Sequence, residues 1–428
     1  YAEAQGRDLL GEEISRLTKA LIDISGMDTR LARQDSLMIS ANCKQMGRLE
    51  LIYTVNRNVV KMLSDKAPAS IPENCRHYLV EKDKANQIYR LKKEDVPSRT
   101  EQLLKESLGL YQAVPPELEQ DEAFKILVRL IEEQIGDDGT TPKGNGELAA
   151  DSLQNPTEPD ATYRKKGHKS GIGYVMNVVE ARDPEKEMSM IVYAERQPNI
   201  VSDSELGLNA LDGDLKGVET LVSDGAYYSQ EMVEKAEEKE IVVSFSALNG
   251  RRAPEGKLGA DQFEIDAETG LIISCPGGAM PVSSERDAER GLFKAKFDKA
   301  RCASCPLVDS CIFKEQKKFN AVTITEKKLI ADRYRSLLGT AEHQALGDFR
   351  AGVEGVPSVL RRVYGIDDLP VRGLTRSRIW DHFKTIAYNF RSFYSYYKRK
   401  RANILSLTYF LRMLSQHYQF GWAMTCYC

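Results

Sequence analysis

The chain has 428 residues, enough for two or three domains and a sizeable core. Sixty Lys and Arg stand against 63 Asp and Glu, a net charge of -3, so the whole-chain field does not advertise nucleic-acid binding and local patches must carry any such argument. With 42% hydrophobic and 29% charged residues, and no uninterrupted apolar run of about 18 residues, the composition is globular and excludes a helix spanning a bilayer.

The chain begins at Tyr1 and enters directly into a helical pattern, Leu9, Leu10, Ile14, Leu17, Leu21 and Ile22, which predicts a truncated N-terminal helical region over 1–30. No secretory signal is visible, and the expected location is the cytoplasm. An apolar run, Leu31 to Ile39, carries Asp35 and reads as a first core strand within 31–43. Leu49, Ile52, Val55, Val59 and Met62, then Phe124, Leu127, Val128, Ile131 and Ile135, repeat at helical spacing. They predict a helical insertion from about 44 that passes through the Gly-, Asp- and Pro-rich stretch 136–146 into a linker ending near 150. A hairpin follows, 173–179 with 188–193, then a helix over 202–211, a strand ending at Asp224, a helix over 230–238 and a strand over 241–245. That order predicts an α/β core over 151–248, a mixed sheet flanked by helices. Acids at its strand ends stand where open α/β sheets commonly place their ligands.

Residues 249–320 break the rhythm, being rich in Gly, Pro and Cys with short alternating strands near 262–265 and 270–274, and read as a small Cys-rich β insertion. Cys275, Cys302, Cys305 and Cys311 fall here. Cys302 and Cys305 are spaced to grip one Zn²⁺ from a tight knuckle, and the other two would close a structural Cys₄ site. Reduced core cysteines are the competing reading, and an iron-sulfur cluster is a weaker one. Cys43 and Cys75 are isolated and read as small apolar residues. Helices over about 330–364 and 376–399 return to the core within 321–401, and the apolar-rich tail 402–428 is either a packed helix or a frameshifted end.

Asp35, Asp224 and Glu354, the last expected inside a basic helix, are the acids that a fold could gather into a site for two divalent metals. Such a pair of ions can activate a water or a 3′-hydroxyl and stabilise a leaving oxygen, so the chain reads as an enzyme that cuts or joins DNA. Each acid has a plainer alternative: a cap or turn aspartate for Asp35, a turn aspartate for Asp224 before Gly225, a solvated helix residue for Glu354. Asp160 competes with Asp35 for the first position, but it follows a Pro in a loop. Basic stretches at 164–169, 361–362, 372–378 and 398–401 would neutralise phosphates, although any one alone is commonly a solvated face. The aromatic set from Tyr388 to Tyr397 is better read as helix packing than as base stacking.

The segments Asp35-Ser-Leu-Met-Ile-Ser-Ala-Asn42, Val222-Ser-Asp224-Gly-Ala-Tyr227 and Phe349-Arg350-Ala-Gly-Val-Glu354, followed by Gly373 to Phe390, together resemble the DDE transposases of bacterial insertion sequences over about 31–401. The resemblance implies an RNase H-like core with Asp35 and Asp224 on neighbouring strands and Glu354 reaching in from a helix. It implies two Mg²⁺ ions, replaceable by Mn²⁺, and a homo-oligomer acting on the element's terminal inverted repeats and on target DNA near the nucleoid. Arg350 and Arg361 match the family's basic positions that contact DNA phosphates, although the tyrosine usual three residues before the arginine is Gly347 here. Arg362, Arg376, Lys165 and Lys166 join them as expected DNA contacts. Two alternatives remain at this level: a nuclease of the same fold that cuts without joining, and an inactive or domesticated DNA-binding remnant.

Overall fold

The computed structural model describes residues 6, 8–166, 169–215, 217–248 and 256–400; Lys398 to Lys400 end the last described helix, and the tail 402–428 lies outside the described residues. Strand β1 (Leu31–Ser40) sits at the centre of a six-stranded mixed sheet. It runs antiparallel to β3 (Lys169–Asp183) and parallel to β5 (Thr220–Ser223), which is itself parallel to β6 (Val242–Phe245). Strands β2 (Thr162–Lys166) and β4 (Met188–Pro198) both pair antiparallel with β3. Strand β2 is too polar, Thr-Tyr-Arg-Lys-Lys, to have been read as a strand from its sequence.

Alternation along β1 sends its side chains to two separate cores. Ala32 joins a cluster with Val175, Val179 and Ala181 of β3, whereas Leu37 and Ile39 join Tyr174, Met176 and Val178 on the other face. The first face is covered by helices α5 (Asp203–Asp212) and α6 (Gln230–Glu238), which supply Leu206, Ala210, Met232 and Val233. Both helices start on serines, Ser202 and Ser229, whose side chains accept backbone N–H bonds that would otherwise be orphaned. Helix α1 (Leu9–Ser25), capped by Asp8 and stopped at Gly26 in the left-handed region, packs on β4 and on the last helix.

Between β1 and β2 the chain builds a mostly helical segment with α2 (Arg48–Lys66), α3 (Val96–Ala113) and α4 (Glu122–Gln134) around a separate core. That core contains a polar thread: Asn56 Nδ2 donates to the Tyr78 hydroxyl (2.9 Å), which donates to Glu106 (2.6 Å), while Ser107 donates to Asn56 Oδ1 (2.7 Å). Every member has a partner, so the buried groups specify one arrangement of the helices. The two ends of the segment are clasped, since Asn155 Nδ2 donates to the Lys44 carbonyl at 2.8 Å.

A four-stranded antiparallel sheet, β9 (Ser283–Asp287), β10 (Leu292–Asp298), β11 (Lys314–Glu315) and β12 (Phe319–Thr325), forms a further core with Phe293, Phe297, Val322 and Ile324. The short hairpin β7 (Glu264–Ile265) and β8 (Ile272–Ser274) precedes it, and the one-turn helix α7 (Lys299–Ala303) lies within it. Where the periodicity predicts one helix over about 330–364, the chain forms three: α8 (Glu326–Leu337), α9 (Ala341–Ala351) and α10 (Gly355–Arg362). Thr340 caps α9 by accepting from the His343 N–H. Pro357 explains the second break, because a proline fits the first turn of a new helix and would cost a bond inside a continuous one. Helix α11 (Leu374–Lys400) closes the chain's described part against β4.

Candidate active site

Register brings two of the acids together. Leu31, Ala32 and Arg33 of β1 pair with Thr220, Leu221 and Val222 of β5, and continuing that parallel register by two residues sets Asp35 level with Asp224. Asp224 follows the last residue of β5 and opens the short turn Gly225–Tyr227. Gly225 is required there: a Cβ would stand 2.7 Å from the Ala247 carbonyl carbon and closer still to its oxygen. Beneath the turn a buried network ties the strands, with Ser223 donating to Gln34 Oε1 (3.1 Å), and Gln34 (3.1 Å) and the Tyr227 hydroxyl (3.0 Å) both donating to Asn177 Oδ1. Burial raises the Tyr227 phenol well above its ordinary range, with the nearby charges of Asp203 and Asp35 adding to it, so it stays a neutral donor.

The third acid arrives from the other side. Glu354 is not inside a helix, as its surroundings suggested, but in the single 3₁₀ turn Gly352–Glu354 that links α9 to α10. Arg350, near the end of α9, stands among all three acids: Nη2 is 3.6 Å from Asp35 Oδ1 and 3.8 Å from Asp224 Oδ2, and Nη1 is 3.9 Å from Glu354 Oε1. These separations are too long for hydrogen bonds and are ionic contacts. The side chains grade from 15% exposed at Arg350 and 19% at Asp35 to 45% at Asp224 and 71% at Glu354, so the cluster opens toward solvent on the Glu354 side. A cavity of about 250 Å³ there is lined by Asp35, Ser36, Arg164, Glu354, Pro357 and Arg361.

Three carboxylates from three elements around one positive group form a donor set that suits a hard cation in chemistry. As they stand, no three ligating side chains among the described residues are placed to hold one metal ion, so metal binding would have the Arg350 guanidinium give up its central place. Asp160 is elsewhere: its carboxylate accepts from the Leu374 N–H (3.3 Å) at the start of α11, beside Glu158, which accepts from Gly373 (2.7 Å).

The expected DNA contacts are placed unequally. Arg361 lines the cavity but is committed to the fold, donating to the Met38 carbonyl (2.7 Å) and to Asp367 (2.9 Å). Arg362 is exposed and reaches Ser358. Lys165 and Arg376 are exposed on β2 and on the first turn of α11, and the side chain of Lys166 lies outside the described residues. Arg164 is structural, holding the Asn199 and Val201 carbonyls and Asp203.

Cys275, Cys302, Cys305 and Cys311 line one cavity of about 260 Å³, yet they are not drawn into a ligand set, and zinc gains no support from this geometry. Burial, and after it the neighbouring Cys275 and Cys302, push the Cys311 thiol up. The sequence reading missed Arg33 and Glu180, a directly opposed cross-strand pair buried beside the acids. The usable signal was a charged residue at an inward position of β1, two residues before Asp35.

Residues 274–394, which include Arg350 and Glu354, match a family profile described as Transposase DDE domain. No curated protein matches the chain in sequence. One solved structure to which it is similar is the cryo-EM structure of a piggyBac transposase synaptic complex with hairpin DNA, 12% identical, covering 96% of this chain and 77% of that one at a TM-score of 0.25. That score is too low for the likeness to bear on the fold. Among the described residues no helix is long and apolar enough to cross a membrane.

Proposed function

We propose, for a chain whose residues 274–394 match the profile of a transposase DDE domain, that it is a DNA transposase whose catalytic acids are Asp35, Asp224 and Glu354. The observation that carries this reading is the meeting of those three carboxylates around Arg350, from two adjacent strands and a helix–helix turn. The strand order, with β3 and β4 antiparallel beyond β1 and with β5 and β6 parallel on its other side, supports an RNase H-like core. Divalent ions, Mg²⁺ or Mn²⁺, held by these acids would activate the attacking hydroxyl and stabilise the leaving oxygen.

The chain's own residues do the rest. Asp35 is the least exposed of the acids and is fixed by the Ser36 N–H at 2.9 Å, which makes it the anchor of the set. Arg350 offsets the mutual repulsion of the acids and, once they are engaged elsewhere, is placed to meet a DNA phosphate. Arg362, Arg376 and Lys165 present exposed charge for the backbone of the same duplex, and Arg361 borders the cavity through which it would approach. In this reading cleavage at element ends is followed by attack of the freed 3′-hydroxyl on target DNA, with two copies holding two ends.

The test uses duplex DNA carrying the sequence that flanks the gene, with Mg²⁺ or Mn²⁺. Cleavage by the native protein and its loss in Asp224→Asn is the expected result, and equal cleavage by both proteins would remove the acids from the chemistry. Joined products separate a transposase from a nuclease. Binding without cleavage by the native protein would favour a DNA-binding remnant.

A further inference from the structure

Beside the three acids lies a buried ionic assembly that takes no part in the proposed chemistry. Arg33 Nε and Nη2 each stand 2.6 Å from Glu180 Oε2, and the Tyr388 hydroxyl of α11 donates to Glu180 Oε1 at 2.6 Å. Both side chains are nearly sealed, at 6% and 1% exposure. Such a pair is expensive to bury, and apolar residues of like volume would commonly serve stability as well or better. Its placement therefore calls for another explanation.

The remaining arm of the fork supplies one. Arg33 Nη1 donates to the Phe349 carbonyl at 2.8 Å, and the guanidinium lies over the Phe349 ring, 5.2 Å from its centre. Phe349 is in the last turn of α9, where carbonyls lack partners within the helix and carry the negative end of its dipole. The next residue is Arg350, and the next turn bears Glu354. Gly352 belongs to the same joint: a Cβ there would run into Arg33 Nη1 and stand 3.2 Å from Cζ, so only glycine lets the turn settle on the guanidinium.

We propose that Arg33 is a positioning residue that pins the end of α9, and with it Arg350 and Glu354, against the strand that carries Asp35. Arg33 and Asp35 point to the same face of β1, so one strand both holds the first acid and sets the place of the third. Glu180 orients the fork from β3, and Tyr388 fixes Glu180 from α11. The catalytic consequence rests on the reading of the acids given above, whereas the mechanical consequence does not.

The experiment pairs Arg33→Lys with Arg196→Lys, a control that disturbs an equally buried two-point Arg–carboxylate pair, Arg196 of β4 with Asp381 of α11, which makes no contact with residues 349–355 that would pin them. Hydrogen exchange is followed at residues 349–355, and cleavage is followed on supercoiled plasmid carrying the flanking DNA at saturating Mn²⁺ and DNA. Lysine cannot reach Glu180 and the Phe349 carbonyl together. Protection at 349–355 is expected to fall in Arg33→Lys only, and the cleavage rate to drop about a hundredfold, the order that a 1 Å misplacement costs, with DNA affinity unchanged. The double substitution Arg33→Met/Glu180→Met, which replaces the ion pair with apolar volume, guards against simple unfolding and is expected to reproduce both effects. Protection retained in Arg33→Lys, or equal losses in Arg196→Lys, would overturn the proposal. If Asp224→Asn cleaves like the native protein, the assignment of the acids fails instead, and the exchange comparison alone decides for or against the pin.

Discussion

Substituting Gly225 with alanine places one methyl group against the backbone that follows β6, and the structure allows its cost to be worked out. The added Cβ would stand 2.7 Å from the Ala247 carbonyl carbon and 3.4 Å from the Leu248 nitrogen. Neither atom belongs to a flexible side chain, so relief must come from the backbone, and clearing the Ala247 carbonyl, whose oxygen is nearer still than its carbon, moves the Asp224 turn by about 1 Å or more. The stability cost expected for such overpacking is about 1–3 kcal/mol. On the proposed role of Asp224, the residue before the methyl, the functional cost is larger: a misplacement of about 1 Å costs on the order of a hundredfold in rate. Thermal unfolding and single-turnover cleavage of flanking-sequence DNA, run on the same preparation, separate the two effects. A Gly225→Ala protein that melts lower yet cleaves at the native rate would refute the link between this close approach and the placement of Asp224.

Asp160→Asn keeps an acceptor for the Leu374 N–H, so cleavage is expected to remain at the native rate with less than about 1 kcal/mol lost in a denaturant titration; a cleavage-dead variant would return Asp160 to the site. Arg361→Ala removes bonds to the Met38 carbonyl and Asp367 as well as a charge near the cavity, so both the melting temperature and DNA affinity should fall, whereas Arg376→Ala should lower affinity alone and flatten its salt dependence by about one charge. In the helical segment, burial pushes the Glu50 carboxyl up, but hydrogen bonds from Lys44, Lys84 and Tyr89 outweigh it and hold it at about 2, below its ordinary 4.5. A carboxyl lowered in the folded state stabilises it fully above the unfolded value and loses that contribution as pH falls through the folded one, so circular dichroism should report destabilisation between about pH 4.5 and 2 that Glu50→Gln largely removes.

Much of the sheet was legible because its strands obey simple rules. Asp35 and Asp224 stand in or just after apolar runs, and the runs pair as their hydrophobic faces require. The breaks between α8, α9 and α10 were hidden because apolar residues keep roughly helical spacing across Leu338 to Thr340 and across Gly352, while the events that end each helix are local: a threonine cap, a proline in a first turn and a guanidinium on a carbonyl. Arg33 and Glu180 escaped notice for a related reason. A charged side chain in a strand ordinarily faces water, and only pairing across β1 and β3 shows that these two face each other. For the cysteines, spacing suggested a ligand set, but spacing along the chain does not determine how thiols converge.

The clasp between Asn155 and Lys44 bears on how the protein is made. Strand β1 leaves the ribosome before its partners in β3 and β5, which begin at Lys169 and Thr220, so at about 5–20 residues per second it waits on the order of ten seconds or more for them. The intervening helices have their own core, complete within residues 46–153, so they need none of the later strands to fold. Once folded, they bring Lys44 next to Asn155 and turn a loop of more than a hundred residues into a short one, lowering the entropy that the sheet must overcome. The segment thus acts as a folding splint, delivering the strand that holds Asp35 to the hairpin that receives it.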